Sequence, residues 1–315
     1  MSKEERVCQF YKLSVRKEGD VFPCCLGKGR ARLGSIFDND IFEKIENTNI
    51  TCECEMYKTR DITPNDKMDL QRLHIMFSHE CQAHCVCCPQ HKDKMENEEE
   101  HLEKLLGFIE KYHPKNITVL GGEVLIQPKA LDWVESIKKK YPNISFDTVT
   151  NLCVGENTIK RAADIFSEIT VSILGFTSNT YKKIMGLDFD VTMKNFNYLQ
   201  NDTNIKMRPK YLVMPTNVYE LPLFFEWALN QKSEKIYIHN INEFLECCNL
   251  KDLFWQKTFS QVEEDMKKLL INYKEHIINQ NKHFISLHTL ISNMLKIDNY
   301  YLEENGFKNI IKITS

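Results

Sequence analysis

The sequence predicts an α/β fold built on a parallel sheet, and three observations carry the prediction. From residue 70 to about residue 240, short apolar runs alternate with longer amphipathic ones, the rhythm of strands joined by crossover helices. Turn and cap residues punctuate that rhythm: Gly121-Gly122 closes one apolar run and Pro128 opens the next amphipathic one. Nine of the 12 cysteines crowd into residues 8–54 and 81–88. A chain of 315 residues has room for two domains, or for one large α/β domain with an added module.

Residues 1–62 read as a small unit of their own. A strand is expected from Phe10 to Arg16, a turn at Glu18-Gly19-Asp20, and a second strand at Val21-Phe22 before Pro23-Cys24-Cys25. Leu33 to Ile36 leads to a short helix near Asp40–Glu46, and Cys52-Glu53-Cys54 ends the unit. So few apolar residues bury little core, and a metal or disulfides usually hold such a unit. Cys8, Cys24 or Cys25, Cys52 and Cys54 supply four ligands, a set that suits zinc and an iron–sulfur cluster alike.

The next span, 68–245, is expected to carry six strands: Leu70 to Phe77, Asn116–Leu120, Ile144–Thr150, Glu168–Leu174, Ile205–Met214 and Lys235–His239. Between them, helices are expected at Glu98–Tyr112, Pro128–Lys140, Glu156–Phe166, Ser178–Met185, Thr192–Gln200 and Val218–Asn230. In the first helix Leu102, Leu105, Leu106 and Ile109 form the apolar stripe, and Glu96 to Glu100 is a solvated start where negative charge suits the dipole. Lys138 to Lys140 closes the second helix, where cations suit it. Six strands imply a partial (β/α)6 TIM-type barrel, because a closed barrel needs eight. Residues 246–315 read as a helical C-terminal extension, rich in Lys, Asn and Ile, to which no chemistry is assigned.

Composition excludes several function classes. At 42% hydrophobic and 27% charged residues the chain is globular, and a net charge of −3 offers no footprint for nucleic acid. No apolar run is long enough to cross a membrane, and MSKEERVCQF lacks a signal-peptide apolar segment. A cytoplasmic setting is therefore expected, where clustered cysteines point to metals rather than disulfides.

The stretch that organises the chain is LQRLHIMFSHECQAHCVCCP, residues 70–89. It places Cys81, Cys85 and Cys88 at C-x3-C-x2-C spacing, with Cys87 inside the last gap. Three thiolates on one loop are one short of a structural zinc site and suggest a cluster with one iron left open. A metal-free cysteine-rich loop is the plainer alternative. His79, His84 and His91 flank the loop and read as solvated; Cys153 reads as a small buried hydrophobe. Arg208 suits either a ligand carboxylate or a structural ion pair.

Taken together, these motifs resemble those of the radical S-adenosylmethionine (radical SAM) enzymes. CQAHCVCC matches the family's cluster loop, although Cys87 stands where an aromatic residue is common. Gly121-Gly122-Glu123 matches the strand end that holds the methionine amino group. The segment VSILGFTSNTYKKIMG resembles the family's fourth-strand region with its Y-x-x-I-x-G, Leu174 replacing the usual Asp. The first 62 residues look like the SPASM and twitch modules that carry auxiliary clusters, here preceding the barrel and with a tighter C-x-C pair.

The resemblance implies a 4Fe-4S cluster on Cys81, Cys85 and Cys88, S-adenosyl-L-methionine on its open iron, and a 5′-deoxyadenosyl radical that abstracts hydrogen from substrate. It further implies cofactor contacts from Gly121, Gly122, Glu123, Asn151, Ser172, Tyr237 and His239, and a second 4Fe-4S cluster on Cys8, Cys24, Cys52 and Cys54 of the N-terminal module. A low-potential donor such as flavodoxin or ferredoxin would supply the electron. Cys247 and Cys248, beyond the sixth strand, stand where some members return a hydrogen atom; plain packing is the alternative. The expected substrate is a small or carbohydrate-like molecule, with a peptide or protein as the second expectation. A zinc-binding interaction protein and an electron-transfer protein are the rivals from other classes.

Overall fold

The computed structural model describes residues 4–8, 12–23, 32–47, 57–61, 70–88, 90, 98–214, 216–240, 260–273 and 283–285. The fold is mixed α/β, with parallel strands connected by helices. It divides into two compact units, the first comprising residues 1–82, 90–148 and 164–167, the second residues 83–89, 149–163 and 168–315.

In the first unit, β6 (Arg72–Met76) pairs in parallel with β7 (Asn116–Leu120), and β7 with β8 (Ser145–Thr150). Leu73, Ile75, Ile117, Val119 and Phe146 are buried, and they take alternate positions along their strands. On the other side of β6 lies β2 (Lys12–Val15), also parallel, followed by β3 (Asp20–Phe22) and β4 (Gly34–Ser35) as antiparallel neighbours. The predicted N-terminal strands thus extend the sheet of the first unit. β1 (Glu4–Cys8) and β5 (Tyr57–Asp61) form a separate antiparallel pair. Gly19 turns the β2–β3 hairpin at φ +85°, in the left-handed region, with Phe37 packed over it.

Helices α1 (Ile41–Asn47), α2 (Glu98–Tyr112) and α3 (Pro128–Lys140) complete this unit. The buried stripe of α2 is His101, Leu105, Phe108, Ile109 and Tyr112, rotated from the expected leucine stripe, with Leu102 and Leu106 only half-buried. Aromatic contacts set that rotation: Phe42 of α1 lies 4.9 Å from Phe108, and Phe37 meets His101 edge-on at 5.9 Å. Lys138 to Lys140 form the last turn of α3 as expected, and the Lys138 ammonium also reaches beyond its own helix. It donates to the Asp164 and Ile165 carbonyls at 2.7 and 2.8 Å, capping the following helix.

In the second unit, β9 (Glu168–Ile173), β10 (Lys206–Val213), β11 (Lys235–Asn240) and β12 (His283–Ile285) are parallel neighbours in that order. β12 falls inside a stretch expected to be helical, and it adds a parallel strand beyond the sixth. Three residues carry too short a period-2 pattern to read against their polar surroundings. Helices α5 (Ser178–Met185), α6 (Phe189–Asp202) and α7 (Leu221–Leu229) stand close to their expected bounds, α7 being preceded by a 3-10 turn at Val218–Glu220. α4 (Glu156–Ile165) and α8 (Ser260–Asn272) complete the described helices. Phe176, Phe196, Phe224 and Trp227 form an aromatic cluster that runs from the core to its half-buried margin, and Tyr211 of β10 stacks on Phe224 at 4.7 Å.

Candidate functional site

Where β7 ends, the chain turns through Gly121-Gly122-Glu123 and docks along residues 78–80. The Gly122 amide donates to the Ser78 carbonyl at 2.7 Å, and the Glu123 amide donates to the Glu80 carbonyl at 2.8 Å. A Cβ on Gly122 would lie 2.3 Å from the carbonyl oxygens of both His79 and Glu80, and one on Gly121 would lie 2.7 Å from Ser78 O. Only glycine permits this approach at either position. The Glu123 side chain is buried and accepts from the Leu125 amide at 3.1 Å, capping a 3-10 turn at Val124–Ile126. Gln127 donates to the Glu80 and Glu123 carbonyls and fastens the same corner, which adjoins a cavity of about 330 Å³ lined by Ser78, Glu80 and Gln127 among others.

The cluster loop begins in this unit with Cys81, half-buried, and His79 places Nε2 3.2 Å from Met76 Sδ. Its second part belongs to the second unit. There the Cys88 amide donates to the Cys85 carbonyl at 3.1 Å, closing a tight turn. Cys85 is half-buried, Cys88 exposed and Cys87 buried. Burial thus sets Cys87 apart from the other three cysteines of the loop, as its spacing does. Cys153 is half-buried rather than enclosed, its Sγ lying 3.7 Å from the Asp188 carbonyl.

After β8, Leu152 is fully buried at φ +57°, a conformation that its side chain resists. Hydrogen bonds from several directions hold it there. The Thr150 hydroxyl accepts from the Leu152 amide at 3.0 Å, and the Asn151 side chain accepts from the Cys153 amide at 2.9 Å. Asn195 of α6 donates to the Leu152 and Val154 carbonyls at 2.8 and 2.9 Å, and the Thr192 hydroxyl donates to the Asn151 carbonyl at 3.0 Å.

Ser172, Tyr237 and His239 share one face of the second unit's strands. Lys210 is in register with both Ser172 and Tyr237, and Leu212 with His239. Met207, Pro209, Tyr211 and Val213 alternate with Arg208 and Lys210 and are buried on the opposite face. Arg208 forms an ion pair with Glu168, the structural member of its two expected roles, and donates to the Tyr237 hydroxyl at 3.4 Å. Tyr237 and His239 stack at 5.8 Å. Burial pushes the Tyr211 hydroxyl pKa well above the usual tyrosine range, and that hydroxyl donates to the Asn217 carbonyl at 3.0 Å.

Two residues that brace this region carried no motif. Asn217 donates to the Leu174 and Leu212 carbonyls at 2.8 and 2.9 Å and accepts from the Met214 amide at 2.7 Å. Glu220 accepts from the Phe176 amide at 2.6 Å and the Thr177 hydroxyl at 2.7 Å. Asparagine just before the expected helix start at Val218 is a cap signal, but nothing local ties it to residue 174.

Cys24, Cys52, Cys54, Cys247, Cys248 and His91 lie outside the described residues, and of Cys8 only the backbone, at the end of β1, is described. Among the described residues, no three His, Cys, Asp or Glu side chains converge as ligands of a single metal ion. Thiolates on separate irons of a cubane stand further apart than ligands of one ion, so that geometry bears on a mononuclear site. Thiols at C-x3-C-x2-C spacing, none of them in a disulfide, are the donor chemistry of an iron–sulfur cluster.

Residues 75–208 match the family model "Radical SAM superfamily". Residues 75–208 thus form a radical SAM domain. That segment holds the cysteine motif, Gly121-Gly122-Glu123, Asn151 and Ser172. Among solved structures, Streptococcus suis SuiB bound to precursor peptide SuiA aligns at TM-score 0.52 and 12% identity, over 89% of this chain and 71% of SuiB. SuiB bound to S-adenosylmethionine aligns at TM-score 0.51 and 14% identity, over 68% of this chain and 49% of SuiB. A polyhistidine-tagged anSMEcpe with bound AdoMet gives TM-score 0.51 and 13% identity, over 68% and 63% of the two chains. The chain thus spans about half the length of SuiB as it aligns with the S-adenosylmethionine complex. At such identities the likeness is one of fold. No curated protein sequence matches the chain.

Among the described residues, no helix is long and apolar enough to cross a membrane.

Proposed function

We propose that this radical SAM protein takes a hydrogen atom from a small or carbohydrate-like substrate, using S-adenosylmethionine and a 4Fe-4S cluster held by Cys81, Cys85 and Cys88. The observation that carries the reading is the three thiols at C-x3-C-x2-C spacing inside the segment that matches the family. When bound and reduced, the cluster supplies the one electron that breaks a carbon–sulfur bond of the cofactor, leaving methionine and a 5′-deoxyadenosyl radical. A low-potential protein such as flavodoxin or ferredoxin provides that electron.

The chain's own residues bind and orient. Gly121 and Gly122 bring bare backbone to the strand end where the methionine portion is expected, while the Glu123 side chain caps the adjoining turn. Asn151 and Ser172 are assigned to the nucleoside side of the cofactor, and Tyr237 and His239 to its base. The polar strand face bearing Ser172, Lys210, Tyr237 and His239 suits a polar substrate. Cys8, Cys24, Cys52 and Cys54 are assigned to a second, auxiliary cluster, and Cys247 or Cys248 to hydrogen-atom return.

A peptide substrate is the second reading. SuiB in complex with its precursor peptide aligns over 89% of this chain, against 68% for SuiB bound to S-adenosylmethionine, and this supports it.

Anaerobic reconstitution tests the proposal. The protein should take up iron and sulfide, and with dithionite and S-adenosylmethionine it should release 5′-deoxyadenosine. Joint replacement of Cys81, Cys85 and Cys88 by Ala should abolish release, and replacement of Cys8, Cys24, Cys52 and Cys54 should remove only the auxiliary iron. A colourless zinc protein, or one that carries clusters but binds no S-adenosylmethionine, would overturn the reading.

A further inference from the structure

An α-helix leaves its last carbonyls without partners inside the helix. In α5 two of them, on Ile184 and Met185, are taken by the cluster loop: the Val86 amide donates to Ile184 at 3.0 Å and the His84 amide to Met185 at 2.8 Å. Gly186 makes this possible. It ends the helix at φ +72°, in the left-handed conformation that turns the chain away, and a Cβ there would press on His84 Cβ at 3.3 Å. The same helix reaches a second loop, because the buried Tyr181 hydroxyl meets Thr192 Oγ1 at 2.9 Å and the Asn151 carbonyl at 3.5 Å.

We propose that α5 with its terminal Gly186 is a splint that sets the Cys85–Cys88 turn before any cluster binds. Tyr181 and Gly186 are then positioning residues, acting on the cysteines through the backbone of residues 84–86. The assignment of those cysteines as ligands rests on the function proposed above, whereas the splint concerns the cluster-free chain. Its physical basis is entropic: a loop already held by two hydrogen bonds loses less freedom when its thiols are engaged.

Hydrogen exchange on the full-length, cluster-free protein tests this. His84 and Val86 are exposed residues on a loop, so their amides should exchange rapidly unless α5 holds them. In the wild type both should exchange at least about tenfold more slowly than in Gly186→Val. Gly186→Asn, which tolerates the left-handed conformation, should fall between and serves if the valine variant fails to fold by circular dichroism. Iron uptake on reconstitution should slow in the same order. Equal exchange in wild type and a folded variant, or unchanged iron uptake with an unchanged electron paramagnetic resonance signal, would overturn the splint. If the wild type takes up no iron, the proposed function fails, and the exchange comparison still decides the splint.

Discussion

The two units hold their strand-end loops by different means. In the first, Gly121-Gly122 lies against residues 78–80 backbone to backbone, and the contact works because two side chains are missing. In the second, side chains reach across from other elements: Asn195 and Thr192 brace the loop after β8, while Asn217 and Glu220 brace the loop after β9. A loop held by missing atoms tolerates almost no substitution. A loop held by side chains loses stability in steps, one hydrogen bond at a time.

That contrast can be broken most severely at Gly122. Gly122→Ala should cost at least about 3 kcal/mol, because the clash is with two backbone carbonyls that cannot swing aside. Urea unfolding should show it, together with loss of S-adenosylmethionine binding by calorimetry. Next comes Asn217→Ala, which strips partners from two carbonyls and an amide and should cost about 2–3 kcal/mol by the same measurement.

A pH effect is expected in the first unit. Burial lowers the pKa of His101 to about 4, and its ring nitrogens have no hydrogen-bond partner among the described residues. Between that value and the ordinary 6.5 the unfolded chain binds a proton that the folded chain does not, so stability is full above pH 6.5 and falls as the pH drops toward 4. At pH 5 the loss relative to pH 8 should be about 2 kcal/mol, and His101→Leu should flatten that part of the profile. The smallest effect is expected for Glu220→Gln, which keeps the shape but weakens two hydrogen bonds, at about 1 kcal/mol. Were Glu220→Gln to match Gly122→Ala in cost, the distinction between the two kinds of support would fail.

The same contrast explains what could be read from the sequence. The bounds of α2, α3, α5 and β7 follow from local periodicity and from the turn, proline and cap residues beside them. The double glycine announces a close approach without naming what approaches. Asn217 is a different case: its partner at Leu174 lies 43 residues away, and no spacing rule connects them. β12 was hidden by its length, and the leucine stripe of α2 was displaced by aromatic packing from α1 that only the fold brings near. Lys138 stands in the last turn of α3 as its charge suggests, but its reach to α4 is tertiary and left no local sign.

The alternation along β10 has an evolutionary consequence. Met207, Pro209, Tyr211 and Val213 are locked into the core, and a slip by one residue would turn all four outward. Register is thereby secured chiefly by one side of the strand. Lys206 and Lys210 on the other side are released from that duty, so their exchange leaves the register inherited, while Arg208 stays tied to Glu168.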